Sequence, residues 1–272
     1  MSIFDDEEDQ LDRAENWIPP YPRLKCMQYY FACTNGINEG YPESKLYCKV
    51  ISKADSFYRP FIPGLPTPHV IRQYLKVVFS GEKPVIQKFD NKEWYDKKFP
   101  KLLLGEYRSK DEKYGECIIL YVENIKSSSI QDVNSSEFKS LLLSTYIHEL
   151  YHAYFRSGDR YEPEVEEPLA EFGTLFCMNA MACMGIVEED DVKYYRNIVA
   201  AKKSCLPIYA FGEHIYQQHE KQSSWRMGVL LDAYKLKIQN NQMGFSLNLL
   251  SWSPNDWDEA YDKLCKALNY VD

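Results

Sequence analysis

The sequence predicts an α+β fold: a small antiparallel sheet followed by a mostly helical C-terminal half. Eight prolines crowd between positions 19 and 68, a density that forbids long helices before Thr67. Two runs, Leu102 to Ser109 and Gly115 to Val122, flank the polar turn KDEKYG, which is the signal of a β-hairpin. From Ser135 onward apolar residues recur at helical spacing, giving helices over about 135–156, 168–184, 190–220, 225–240 and 254–269.

Taken in order, residues 1–16 are acidic and nearly free of large apolar side chains, so they read as a disordered tail. Residues 17–97 form a proline-rich module of unknown role. Within it Lys25 to Thr34 and Lys45 to Ser52 are expected to be short strands, and Pro68 to Phe79 a helix with proline at its first position. A polar, aromatic link from Asn91 to Pro100 leads to the main domain, residues 98–272. The last helix is expected to begin at Ser253-Pro254, a capping residue followed by proline, with acidic residues in its first turn.

Composition narrows the classes of function. A chain of 272 residues with 45% hydrophobic and 15% aromatic content buries a sizeable core. A net charge of -8 without a clustered basic surface argues against a nucleic-acid partner. The acidic opening lacks the basic and apolar regions of a secretory signal, so a cytoplasmic location is expected. The longest apolar stretch, Gly173 to Val187, is too short to span a bilayer, and no membrane partner is expected. The eight cysteines contain no C-x-x-C pair and are expected to be reduced and mostly core residues.

The segment from Asn134 to Gly158 carries the chemistry. Asn134 with Glu137 three residues later makes a capping box, and Gly158 supplies a stop, so the run between them reads as one helix. Its apolar residues occupy more than one face, which implies burial. Inside it stand His148, Glu149 and His152. Burying a carboxylate beside two imidazoles is costly unless something compensates them, and a divalent metal does so. Residues four apart share a helical face, so the two histidines converge on one ion, with Glu149 beside them to act as general base on water. With 5 histidines and 40 acidic residues in 272, such a string arises by chance in roughly one chain in a hundred.

His148-Glu149-Leu150-Tyr151-His152 resembles the HExxH motif of zinc metallopeptidases. Zinc then requires a third protein ligand, with one position left open. The metzincin continuation is absent, because Phe155 stands where glycine would be needed and no histidine follows through Asp159 and Arg160. Downstream glutamates remain: Glu162, Glu164, Glu166, Glu167 and Glu171. Pro168 places the start of the next helix near Glu166 or Glu167, which puts Glu167 and Glu171 on one face.

The string Glu167-Pro168-Leu169-Ala170-Glu171 is similar to the second motif of the glutamate-zincins, or gluzincins. That resemblance implies Glu167 as the ligand and Glu171 as the carboxylate that orients a ligand histidine. Glu166 stands where the aminopeptidase branch has asparagine, and Glu171 where the thermolysin-like branch has aspartate. The eighteen residues between His152 and Glu171 match the aminopeptidase interval and keep Glu171 as an alternative ligand.

The order of hairpin, HExxH helix and glutamate helix, over residues of about 100 to 220, is similar to that of the compact intracellular minigluzincins. The resemblance implies a zincin-like fold, a Zn2+ cofactor and hydrolysis of a peptide or protein substrate. The substrate is expected along an edge strand beside the active-site helix, taken here as Gly115 to Val122. Tyr209, His214 and Tyr216 are the candidates for stabilising the oxyanion. A regulatory or interaction protein that keeps a structural zinc site is the alternative reading, distinguished by a fourth protein ligand.

Overall fold

The computed structural model describes residues 43–54, 76–84, 102–129, 132–155, 162–195, 207–220, 224–240 and 256–270. The acidic tail, the strand expected at Lys25 to Thr34, the link from Asn91 to Pro100 and the stop at Gly158 lie outside these residues.

The first described element is a helix, α1 (Ser44–Ile51), where the sequence predicts a strand at Lys45 to Ser52. The β-branched Val50 and Ile51 favour a strand locally, but Tyr47, Val50 and Ile51 also fall on one helical face. Tertiary packing selects the helix: the Tyr47 ring lies 5.6 Å from Phe138 and 5.3 Å from Phe79. The opposite exchange occurs next. The end of the helix predicted over Pro68 to Phe79 is a strand, β1 (Lys76–Ser80), and positions 68–75 lie outside the described residues. Val77 and Phe79 enter the main core while Val78 enters a smaller cluster on the other face, so successive side chains alternate as a strand requires.

The hairpin forms where the sequence places it, as β2 (Gly105–Asp111) and β3 (Gly115–Tyr121). Asp111 Oδ1 accepts the backbone N–H groups of Lys113 and Tyr114, and Gly115 takes the positive φ that closes the turn. The sheet order is β1-β3-β2, with β1 parallel and β2 antiparallel to β3. Two expectations are thereby corrected. The sheet is mixed rather than antiparallel, and the strand at Gly115 to Val122 is central rather than an edge. The run of buried residues from Cys117 to Tyr121 is the physical reason, since a strand covered on both faces belongs inside a sheet. The edge strand packed against the long helix is β2.

A short helix, α2 (Val122–Ser127), follows, and then α3 (Ser136–Phe155), buried nearly all round as its sequence requires. Its cap is Ser135, not Asn134: Ser135 Oγ accepts the N–H of Phe138, while the Asn134 N–H goes to Asp132. The next helix, α4 (Pro163–Cys183), begins ahead of the position predicted from Pro168. Pro163 occupies the first turn instead, and Pro168 lies inside the helix, withholding one N–H from the ladder.

The helix predicted over 190–220 is helical at 189–195 and again in α5 (Pro207–Glu220), its middle lying outside the described residues. α6 (Ser224–Gln239) and α7 (Trp257–Ala267) are the last described helices, the latter with Asp258 and Glu259 in its first turn. The inner face of the sheet and helices α1 to α7 share one core. The described parts of the proline-rich segment, α1 and β1, belong to it. No described helix is long and apolar enough to cross a membrane.

Candidate metal centre

The site forms between α3 and the first turns of α4. His148 and His152 stand four residues apart on α3, their ring centroids 4.8 Å apart and their Nε2 atoms 3.1 Å apart. Glu167 reaches across from α4, with Oε2 3.1 Å from His148 Nε2 and Oε1 3.4 Å from His152 Nε2. The donor atoms of His148, His152 and Glu167 all lie within 4.8 Å of one another. His152 and Glu167 are buried, and only 12% of the His148 side chain is exposed.

The far sides of both imidazoles also face carboxylates. His152 Nδ1 lies 2.8 Å from Glu166 Oε1, and His148 Nδ1 lies 3.5 Å from Glu171 Oε2. Each of these carboxylates takes a tyrosine hydroxyl on its other oxygen. Tyr234 OH donates to Glu166 Oε2 at 2.8 Å, and Tyr195 OH donates to Glu171 Oε1. In the neutral form whose Nδ1 hydrogens go to these carboxylates, both Nε2 atoms are acceptors that point at each other and at Glu167. Three acceptor groups brought so close in a buried place need a positive centre among them, protons on the imidazoles or a cation, and two imidazoles with a carboxylate are a donor set that fits a divalent cation.

The electrostatics express the same demand. Burial opposes the charged form of His148, but its hydrogen bonds to Glu167 and Glu171 outweigh burial and lift its pKa to about 9. Burial likewise opposes charge on His152, yet Glu167 and Glu166 hold its pKa well above the usual imidazole value. Burial alone would raise Glu167, but the two histidines bring it well below the ordinary carboxylate range.

Glu149 is buried on α3 beside the histidines, and burial pushes its carboxyl upward with partial relief from His152 and His148. Its side chain faces the start of β2. A Cβ on Gly105 would stand 3.1 Å from Glu149 Cγ and 2.8 Å from Thr145 Cγ2, so glycine is what lets the strand lie this close. α5 presses on the other side of α4 by a similar approach, where a Cβ on Gly212 would meet Glu171 Cβ and Pro168 O, each at 2.7 Å.

The five residues singled out from the sequence, His148, Glu149, His152, Glu167 and Glu171, are therefore brought together. Of the residues considered for the oxyanion, His214 and Tyr216 have described side chains. His214 lies 3.0 Å from Asp258 of α7, with its ring between Phe211 and Trp257, in the contact of α5 with α7. Tyr216 is buried in the core, and the side chain of Tyr209 lies outside the described residues. Two residues of the site escape a sequence reading, Tyr195 and Tyr234, and Glu166 enters it only as one of five downstream glutamates, without its role. A helix start at Pro163 would have placed Glu166 inside the buried helix and flagged it. Nothing local marks the tyrosines, which stand 24 and 68 residues from the carboxylates they hold.

Comparison of the chain with protein-family models, curated proteins and solved structures finds no match.

Proposed function

We propose that the protein is a zinc-dependent peptidase of the gluzincin type, with Glu149 as its general base. The observation that carries this reading is the convergence of His148, His152 and Glu167 on one buried point with Glu149 next to it on the same helix. Among the described residues the group contains three donor side chains, the number a catalytic zinc takes when it keeps one position open. Zinc held by the Nε2 atoms of both histidines and the Glu167 carboxylate supplies Lewis acidity, polarising a carbonyl and lowering the pKa of water.

The protein's own groups then do the rest. Glu149 takes a proton from the attacking water as its oxygen bonds to the carbonyl carbon, and returns the proton to the amine nitrogen as the C–N bond breaks. Glu166 and Glu171 hold the Nδ1 hydrogens, keeping both imidazoles in the tautomer that directs Nε2 inward. β2 pairs with β3 along one side, and among the described residues its other side carries no strand. That side supports docking of an extended peptide, with Glu149 close to where the strand begins.

The deciding experiment compares wild type with Glu149→Gln for zinc content and for cleavage of a quenched-fluorescence peptide library. Zinc is expected to stay at about one per chain in both, with hydrolysis lost only in the variant, because the change removes a base and no ligand. Zinc-loaded wild type that cleaves nothing, or a variant that cleaves equally well, overturns the reading.

A further inference from the structure

Beyond the three donor side chains, the site contains two chains of one design. In the first, Tyr234 OH donates to Glu166 Oε2 at 2.8 Å, and Glu166 Oε1 faces His152 Nδ1 at 2.8 Å. In the second, Tyr195 OH donates to Glu171 Oε1, and Glu171 Oε2 faces His148 Nδ1 at 3.5 Å. We infer that Tyr234 and Tyr195 are positioning residues of the metal centre, fixing the carboxylates that in turn fix the two ligand imidazoles.

A carboxylate rotates freely about its terminal bond unless both oxygens are engaged. Glu166 is 1% exposed and Glu171 3% exposed, so bulk water does not reach the second oxygen of either, and a tyrosine hydroxyl bonds it. Tyr234 itself has no freedom to look elsewhere. It is fully buried, and its ring meets Phe155 edge to face at 4.8 Å and 87°. Tyr195, also buried, comes from the helical stretch 189–195. Elements distant in sequence thus set the direction in which each Nε2 points. The affinity of the site for its ion therefore depends on two hydroxyls carried by α6 and the 189–195 helix, although neither element contributes a ligand.

The inference rests on the assignment of His148, His152 and Glu167 as ligands, and the test separates the two. Zn2+ affinity is measured by competition with a chromophoric chelator for wild type, His148→Ala, Tyr234→Phe, Tyr195→Phe and Tyr154→Phe, with circular dichroism on each. The visible bands of the Co2+-loaded proteins are recorded alongside, because they report ligand geometry.

Tyr154 is the control. It sits in the same contact between α3 and α6, with Lys235 over its ring, but its hydroxyl bond ends on Asp232 rather than on Glu166 or Glu171. Loss of an orienting partner is expected to weaken Zn2+ binding by about 10–100-fold in Tyr234→Phe and in Tyr195→Phe, with a shifted Co2+ spectrum. Tyr154→Phe is expected to change neither. Wild-type affinity in both positioning variants, or an equal loss in Tyr154→Phe, overturns the inference. Retention of metal by His148→Ala instead overturns the ligand assignment beneath it. Should Tyr234→Phe not fold, Tyr195→Phe and Glu166→Gln carry the same comparison.

Discussion

A glutamate carboxylate, two methylenes from the helix backbone, acts as ligand or as orienting partner according to which imidazole nitrogen it faces. Glu167 faces Nε2 of His148 and Glu171 faces Nδ1 of the same ring, so one helix presents both roles four residues apart. Glu167→Ala is therefore expected to empty the site under mild chelation, whereas Glu171→Ala keeps metal with affinity lowered about 10–100-fold. Zinc retained after dialysis against graded chelator gives the answer, and the opposite ranking would make Glu171 the ligand. Much of this was legible in the residues alone. The four-residue spacing of His148 and His152 converts directly into a shared helical face, because both lie on one regular element. Glu166 was not legible in its role, because the start of α4 was read from Pro168 and left that residue at the helix boundary.

At the level of elements, two close approaches hold the site together, α5 against α4 at Gly212 and β2 against α3 at Gly105. At Gly212 the neighbours are a backbone oxygen and a Cβ, neither of which moves without its helix. Gly212→Ala is expected to destabilise the fold by about 1–3 kcal/mol, read from the midpoint of urea unfolding. An unchanged midpoint would mean that α5 does not press on Glu171 as described. The hairpin and the helices around the site were visible because each is specified by neighbours in sequence. Strand order was not. The place of β1 beside β3 depends on pairing across about forty residues, and α1 and β1 took the structures that their burial requires against local preference.

For the molecule as a whole, the centre is a knot of four carboxylates and two imidazoles inside a shared core, and an ion that binds only the folded chain stabilises it by mass action. At free zinc one hundred times Kd the gain is about 2.7 kcal/mol, a rise in Tm on the order of 5–10 °C for a chain of this size. Thermal melts with zinc and with chelator are expected to show that rise in wild type and none in His152→Ala. A rise that persists in the variant places the metal elsewhere. A bound ion would also tie together residues that are near in sequence. His148 and Glu167 are 19 positions apart, and His152 and Glu167 only 15. A loop that short closes at small entropic cost, so the pair of helices and their donors can meet early in folding. Tyr234 joins from 68 positions away. Assembly is thus expected in two stages: a metal clip that forms locally and loosely, and a later arrival of α6 that tightens it.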